Sequence, residues 1–560
     1  MNRRAIFTLL ASAALTAAGA QTVTPQACEQ SIVTPKAEGR YLWLPIEEKS
    51  PEGKVQVILG GVLQMEQNVR MAREGVDYYV ALDLAPYQGR GVLRVCVQNV
   101  PTGSLCFSKL AQNSDADYAL VAEKYRPLYH HAPKRGWMND PNGMFYKDGV
   151  WNLYYQYNPY GSMWGNMHWG HSTSTDLMHW KDEGVALAPD AWGTMFSGSC
   201  VVTDQGVTAF YTASRPTPFG GDVQAQCLAF SADGGKTFRK YEGNPVVTSE
   251  AKDFRDPNVF WHEPTGRWIM ILAVGQEMQF YSSANLKDWT YESSFGKEYG
   301  NHDGVWECPD LMPLTVRGTG QQKWMLLCNI NPGGPFGGSA TQYFIGQFDG
   351  HRFTCESKPE VTKWMDYGKD HYATVTFDNA PENRRVAIVW MSNWQYAGAV
   401  PTKQFRSANA LPRELGLFND GAETYCTVTP TKEVDALRGK KLKKPTEACE
   451  VVVDVKGTLE LTLANQKGEQ VVMRYDQQKQ TFAMDRTKSG DVSFSEAFPV
   501  ETVAPTHGNI RQLRLFIDRC SIEAFDADGK MAMTNLVFPS EPYNNIKVKG
   551  GKATVYQIKY

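Results

Sequence analysis

The chain has almost no excess of charge of either sign. Its 560 residues include 57 Lys and Arg and 60 Asp and Glu, which leaves a formal net charge of −3 at pH 7. Because the charges are so nearly balanced, the chain as a whole has no electrostatic attraction to nucleic acid or to an anionic membrane, and we expect neither as a partner. The chain is also too long for one compact core, and its length predicts roughly two to four domains.

Long apolar runs are scarce as well. A run at residues 6–18 is shorter than the ~20 residues that a membrane-spanning helix needs, and no later run reaches that length. It follows two arginines and precedes Ala18-Gly19-Ala20, a pattern typical of a cleaved signal peptide. We therefore expect residues 1–20 to be removed and the protein to be periplasmic or secreted. The first cysteine, Cys28, lies too far from the cleavage site to carry a lipid anchor.

Cysteine is sparse, with eleven residues in the whole chain. Export permits disulfides, but an odd number leaves at least one thiol free. Cys96 and Cys106 flank a turn-rich stretch and could face each other across a hairpin. Most of the others fit the commoner role of small, buried apolar residues.

Helical periodicity is nearly absent after residue 21. Short apolar or alternating runs recur instead, separated by Gly, Pro, Asn and Asp, as all-β folds require. Five similar units begin at residues 140, 197, 256, 307 and 370, and each returns as a near-continuous apolar strand. Repeated units of about four strands each predict a five-bladed β-propeller, to which we assign residues 126–430.

Two flanking regions complete the predicted all-β architecture. Residues 21–125 contain several strand-like runs and predict a small N-terminal β module. Residues 431–445 are rich in lysine and are interpreted as a linker. Beyond them, residues 446–560 alternate apolar and polar side chains, which predicts a C-terminal β-sandwich with one solvated face on each sheet.

Three of the five unit starts are carboxylates in well-defined motifs, namely Asp140, Asp256 and Glu307. Inner strands of a propeller start near its central axis, so these side chains should converge. Converged carboxylates repel one another, which raises the pKa of at least one. A proton held on one and a charge held on another is what acid-assisted glycoside cleavage needs. Each carboxylate could instead cap a turn beside its proline, but three copies among aromatic residues favour the catalytic interpretation.

The carboxylates lie in the motifs Trp137-Met138-Asn139-Asp140-Pro141-Asn142-Gly143, Arg255-Asp256-Pro257 and Glu307-Cys308-Pro309. These resemble the three hallmark motifs of glycoside hydrolase family 32, the β-fructosidases, which include invertases, inulinases and levanases. Residues 518–525 resemble the signature of that family's C-terminal β-sandwich. The resemblance covers residues 126–560, whereas residues 28–125 look like the extra N-terminal module of some bacterial fructanases.

The resemblance implies a retaining hydrolysis through a covalent fructosyl-enzyme. In it Asp140 is the nucleophile, Glu307 the general acid and base, and Asp256 the transition-state stabiliser. It further implies a first subsite, with no metal or cofactor, formed by Asn139, Gln156, Trp164, Phe196, Ser197, Arg255, Asp370 and Trp394. Trp164 and Trp394 fit core packing equally well. Cys308 is expected to be a buried, inert thiol. His168 and His171 have a metal-like spacing but lack a third ligand.

The activity that the resemblance implies is release of terminal β-D-fructofuranosyl residues from levan, inulin and sucrose. An endo-levanase, an endo-inulinase or an invertase is the alternative within the family. Residues 231–238 match the Asp-box turn of sialidases, but the central motifs hold one arginine where a sialidase needs a cluster. A non-catalytic carbohydrate-binding propeller is a second rival, although it would be expected to lose one of the carboxylates. We expect a monomer or a weak oligomer.

Overall fold

The computed structural model describes residues 15–16 and 22–560, so nearly all of the predicted signal peptide lies outside the described residues. The chain is nearly all-β, as predicted. Helix in the described part is confined to α1 (Cys106–Lys109), α2 (Lys432–Ala436) and 3-10 turns at Glu263–Thr265 and Pro381–Asn383. None of these described helices has the length and apolar character needed to cross a membrane.

Two sheets form the N-terminal module. One has the strand order β1-β2-β3-β8-β5-β6 and the other the order β7-β4-β9. The bounds are β1 (Leu15–Thr16), β2 (Thr22–Ala27), β3 (Gln30–Thr34), β4 (Tyr41–Ile46), β5 (Gly53–Leu59), β6 (Val62–Val69), β7 (Tyr78–Asp83), β8 (Leu93–Gln98) and β9 (Ala111–Asn113). Burial alternates along β5, so one face packs into an apolar core and the other meets solvent. The suggested Cys96–Cys106 disulfide is wrong, because all eleven cysteines are free.

Five sheets follow, one for each predicted repeat, and all are antiparallel apart from one short parallel pairing in the first. Their inner strands β10, β14, β19, β23 and β27 contact one another in sequence, and β27 returns to β10, which closes the ring of a five-bladed propeller. The strands are β10 (Gly136–Lys147), β11 (Val150–Asn158), β12 (His168–Ser174), β13 (Lys181–Leu187), β14 (Thr194–Thr203), β15 (Gly206–Pro216), β16 (Asp222–Ser231), β17 (Arg239–Lys240), β18 (Val247–Thr248), β19 (Phe254–His262), β20 (Arg267–Val274), β21 (Glu277–Ser283), β22 (Thr290–Phe295), β23 (Val305–Thr315), β24 (Gln322–Asn331), β25 (Ala340–Phe348), β26 (Phe353–Cys355), β27 (Tyr372–Thr376), β28 (Val386–Trp390), β29 (Phe405–Arg406), β30 (Arg413–Asn419) and β31 (Thr424–Pro430).

The C-terminal sandwich is a single network of nine strands that folds over itself. Its strands are β32 (Arg438–Leu442), β33 (Cys449–Ala464), β34 (Gln470–Asp476), β35 (Thr481–Lys488), β36 (Glu501–Pro505), β37 (Gln512–Asp518), β38 (Ser521–Asp526), β39 (Ala532–Leu536) and β40 (Asn545–Ile558). The stretch 431–445, interpreted as a linker, instead contains α2 and β32, which pairs with β40. Lysines suit such an edge strand because their charge discourages pairing with other chains, so lysine content alone did not distinguish it from a linker.

The sandwich packs on the propeller through a buried ionic network as well as an apolar core. The two ring nitrogens of His130 contact Asp518 and Glu523, each at 2.8 Å. Burial lowers the pKa of His130, but these two hydrogen bonds outweigh that effect and raise it to about 9. Arg413 donates to Glu523 and to Asp366, at 2.7 Å each. Each buried charge therefore has a partner, as burial away from water requires.

Candidate active site

A cavity of about 250 Å³ lies among the propeller's inner strands, and ten residues line it. They are Asn139, Asp140, Gln156, Trp164, Phe196, Ser197, Arg255, Asp256, Glu307 and Trp394. These are all of the residues that the sequence predicted for the site, except Asp370. The three carboxylates therefore face one shared space, although 167 residues separate the first from the last.

The five inner strands share one irregularity that positions these side chains. Each has a β-bulge that adds one residue relative to its neighbour, between residues 138 and 141, 195 and 198, 255 and 258, 307 and 310, or 372 and 375, and β10 has a second such bulge between residues 142 and 145. Such bulges bend the strand and re-aim its side chains, and they are common beside active sites. Three of the non-glycine residues inside these bulges, Asp256, Cys308 and Ala373, have positive φ angles of 62°, 42° and 55°.

The bulges also correct the repeat alignment. Arg255, Glu307 and Tyr372 each precede the bulge of their strand, whereas Asp256 is the first residue inside its bulge and Asp140 the second. The three carboxylates thus occupy three different positions of the repeat. The fifth unit was predicted to begin at Asp370, which is two residues before the position that corresponds to Glu307.

Asp140 is held by three side-chain donors. Asn139 Nδ2 donates to its Oδ1 at 3.0 Å, and Ser197 Oγ donates to its Oδ2 at 2.8 Å. The Cys308 thiol lies 3.5 Å from the same Oδ2. Burial raises the pKa of Asp140 and the charge of Glu307 adds to that effect, whereas the three donors lower it. The donors fix the carboxylate's orientation and favour its ionised form.

Asp256 lies deeper and depends on backbone donors. Its Oδ2 accepts the Cys308 N–H at 2.9 Å, and its own N–H donates to Thr212 Oγ1 at 3.0 Å. Burial raises the pKa of Asp256 to about 7; the nearby carboxylates add to the rise, and Arg255 opposes it. A guanidinium beside a carboxylate ordinarily favours the ionised form of that carboxylate. The arginine is a weaker partner than expected, because its Nε lies 4.0 Å from Asp256 Oδ2.

Glu307 is held between an arginine and a tyrosine. Arg255 Nη2 donates to Glu307 Oε1 at 3.0 Å, and the Tyr372 hydroxyl donates to Oε2. Burial lowers the pKa of Arg255, but the charges of Glu307, Asp256 and Asp253 outweigh it and raise the pKa, so the guanidinium stays charged. Burial raises the pKa of Tyr372 well above its ordinary value, and the charge of Glu307 adds to that effect, so its hydroxyl keeps its proton.

Aromatic and amide side chains form the remaining walls. Trp394 stacks on Trp137 at a ring distance of 5.7 Å and also contacts Trp390, so it combines core packing with a place at the cavity. Trp164 is 49% exposed and contacts Phe196 edge-on at the mouth, so it is not a core residue. The Gln156 amide donates to the Met195 carbonyl at 2.9 Å, which fixes its orientation.

Asp370 does not line the cavity. It is fully buried beneath the sandwich, where it pairs with Arg486 and accepts hydrogen bonds from the Tyr396 hydroxyl at 2.6 Å and the Leu536 N–H at 2.8 Å. Tyr372, two residues further on, is the side chain of this segment that reaches Glu307. Sequence reasoning missed Tyr372, because the spacing between the inner strands varies and does not show which residue of the strand reaches Glu307.

The residues behind the rival interpretations have structural roles. His168 and His171 are buried and bonded to the Asn166 carbonyl and to Asn152 Oδ1, and burial lowers the pKa of each to about 4. Cys308 is buried as expected, and burial raises the pKa of its thiol, so it remains protonated and can donate to the carboxylates. In the Asp-box segment, Asp233 accepts hydrogen bonds from Ser231 and Thr237, which stabilises the turn.

Family comparisons agree with this arrangement. Residues 130–428 match the family described as Glycosyl hydrolases family 32 N-terminal domain, and residues 421–560 match Glycosyl hydrolases family 32 C terminal. Residues 28–129 match a Domain of unknown function (DUF4980).

Individual proteins give the same result. A levanase of Bacillus subtilis is 42% identical over 489 residues, which cover 79% of this chain and 72% of the levanase. An extracellular exo-inulinase of Aspergillus awamori is 35% identical over 504 residues, which cover 78% of this chain and 94% of the exo-inulinase. A crystal structure of exo-inulinase from Aspergillus awamori superposes with a TM-score of 0.71 at 33% identity and covers 78% of this chain and 99% of that one.

Proposed function

Because the chain belongs to glycosyl hydrolase family 32, we propose that it is an exo-acting fructan β-fructosidase that works with retention of configuration. Family membership and the levanase and exo-inulinase relatives make it a glycoside hydrolase of the fructan- and sucrose-cleaving class. The exo mode, the retaining mechanism and the residue roles are our proposal. The observation that carries it is the 250 Å³ cavity, in which Asp140 and Glu307 face one space and each is held by its own set of donors.

In the first step, an oxygen of Asp140 attacks the anomeric carbon of the bound fructosyl unit. Glu307 gives its proton to the departing glycosidic oxygen as that bond breaks, so the leaving chain departs as an alcohol. A fructosyl ester on Asp140 remains. In the second step Glu307, now ionised, takes a proton from water while the water oxygen bonds to the anomeric carbon and releases Asp140. The two inversions together retain the configuration.

Neighbouring groups have supporting roles in this proposal. Arg255 and Tyr372 each donate a hydrogen bond to one oxygen of Glu307. These bonds orient the carboxyl group toward the cavity, and neither donor takes part in the reaction itself. Asp256 is held in place by the hydrogen bond from the Cys308 N–H. It accepts hydrogen bonds from hydroxyl groups of the sugar, and those bonds become stronger as positive charge develops on the ring. Asn139, Gln156 and Ser197 form side walls of the pocket and limit it to about the size of one furanose ring.

A time course of products tests the proposed function. The wild-type protein should release fructose alone from levan and inulin from the first minutes, cleave sucrose, and leave a sialoside intact. Early oligosaccharides from the polymers would instead establish endo action, and cleavage of sucrose without the polymers would establish an invertase. Tight fructan binding with no release of any sugar would establish a binding propeller and contradict the proposal.

We further propose that the protein is exported after cleavage behind Ala20 and acts as a monomer or weak oligomer. Support for export comes from the charged, apolar and small-residue pattern of residues 1–20 and from exo-inulinase relatives that are described as extracellular. N-terminal sequencing should therefore show that the mature protein begins at Gln21.

A further inference from the structure

A second and larger cavity lies beside the reaction pocket, between the N-terminal module and the propeller. Its volume is about 560 Å³, within the ~300–1,000 Å³ that is typical of ligand sites. It shares Trp164 and Phe196 with the 250 Å³ pocket, so the two spaces meet at these side chains. We call the larger cavity the intermodule groove.

The module contributes a polar wall to this groove, formed by Glu52, Asn68 and Arg70. Asn68 is exposed, and within the described part of the chain its side-chain amide has no hydrogen-bond partner. Its backbone is fixed, because its N–H donates to Asn166 Oδ1 at 3.0 Å and its carbonyl accepts Asn166 Nδ2 at 2.8 Å. Arg70 donates to Glu52 at 3.1 Å and remains one-third exposed.

The groove is preformed, because buried contacts fix the module on the propeller beside it. Arg406 of the propeller donates to Glu48 at 2.9 Å, and Arg406 is almost fully buried. The Tyr78 hydroxyl lies 2.9 Å from Ser162 Oγ and accepts the Ser162 N–H at 2.9 Å. A site assembled in advance loses less conformational entropy when it binds a flexible chain.

The propeller wall links the groove to the reaction pocket. Arg255 donates to Gln224 Oε1 at 3.3 Å, and Gln224 Nε2 donates to Asp222 Oδ2 at 2.9 Å. Asp222 lines the groove and Arg255 lines the pocket, so a continuous polar path joins them. Phe196 lines the groove beside Trp164 and adds a second aromatic side chain to it.

We propose that the intermodule groove binds the leaving-group side of a β-fructan chain, so that the N-terminal module is part of the substrate-binding surface. The inference rests on the proposed function. A pocket of 250 Å³ accommodates about one sugar unit, and the rest of the chain must leave through the mouth at Trp164. Beyond that mouth lie amide, guanidinium and carboxylate groups that pair with hydroxyls, together with aromatic faces that cover the apolar side of a sugar ring.

Substrate length is the variable that tests this proposal. Asn68→Ala should lower kcat/KM for an inulin-type or levan-type oligosaccharide of four or more units by about 2- to 12-fold relative to kcat/KM for sucrose, the range for one neutral hydrogen bond. Arg70→Ala should lower the same ratio further. Arg94→Ala removes an exposed arginine of the module that does not line the groove, so it serves as the matched control and should leave the ratio unchanged.

An Asn68→Ala protein that keeps the wild-type melting temperature and the wild-type ratio would overturn the proposal. Binding provides an independent measurement: in the Glu307→Gln background, calorimetric titration with the intact oligosaccharide should give a Kd several-fold weaker when Asn68 is also replaced. An equal Kd would likewise overturn it. Wild-type protein that cleaves no fructoside at all would contradict the proposed function instead, and the titration would still report on the groove.

Discussion

Tyr372→Phe is the change that most sharply tests how Glu307 is positioned. The substitution removes one hydroxyl, which donates to Glu307 Oε2, and leaves the buried ring in place. Hydrogen bonds to charged groups contribute roughly 1.5–3 kcal/mol. If the bond orients the acid in the transition state, kcat for sucrose should fall about 10- to 150-fold. Because Tyr372 does not line the pocket, KM should change by less than about twofold.

The leaving group provides a second measurement for this variant. The nitrophenolate of a nitrophenyl β-fructofuranoside can leave without being protonated. The first step with that substrate should therefore be nearly unaffected, and the burst of nitrophenolate should persist. Tyr154→Phe is the matched control, because Tyr154 is also buried and its hydroxyl donates to the Gly235 carbonyl at 2.6 Å, away from the pocket. It should reduce stability by about 1 kcal/mol and leave kcat unchanged. Wild-type kcat in Tyr372→Phe, or a rise confined to KM, would refute the positioning role.

Two further predictions concern the other carboxylates. Asp370→Ala should destabilise the protein by about 3–5 kcal/mol, because it leaves Arg486 buried without its partner, and this should appear as a lower melting temperature with KM unchanged; a raised KM at wild-type stability would return Asp370 to the subsite. The folded-state pKa of Asp256 is raised from 3.8 to about 7, so between these values the folded protein holds a proton that the unfolded chain loses. The free energy of unfolding of the wild type should therefore fall, relative to that of Asp256→Asn, as the pH rises from 4 to 7. Parallel stability curves for the two proteins across that range would contradict the raised pKa.

The repeat architecture could be predicted from sequence because each blade carries the same local signals. Apolar return strands and turn residues recur at regular spacing, and the three carboxylate motifs identify the inner strands. Position within a strand was less certain, since spacings of 51 to 63 residues do not reveal where a bulge adds a residue. Asp370 was assigned to the subsite through the family resemblance, but it lies just before β27 and is buried against Arg486 of the sandwich, whereas Tyr372 begins that strand and reaches Glu307.

Contacts between distant segments were beyond the reach of the sequence. Nothing near Asp370 indicated Arg486, which lies 116 residues further along and approaches only when the sandwich docks. The same holds for the intermodule groove, whose walls come from the N-terminal module and from the first two blades. Lysine-rich β32 was mistaken for a linker because an exposed edge strand and a solvated linker have similar compositions.

Chemical rescue of Glu307→Gln tests the central assignment most directly. The variant lacks the acid and base but keeps Asp140, so with a nitrophenyl β-fructofuranoside the fructosyl-enzyme should form and accumulate. Azide needs no base, and it should restore turnover and yield the β-configured fructosyl azide, because two inversions amount to retention. Asp140→Ala should give no burst and no β-configured azide, because both require the fructosyl-enzyme. An α-configured azide from Glu307→Gln would mean direct displacement by azide, and the assignment of Asp140 as nucleophile would then be wrong.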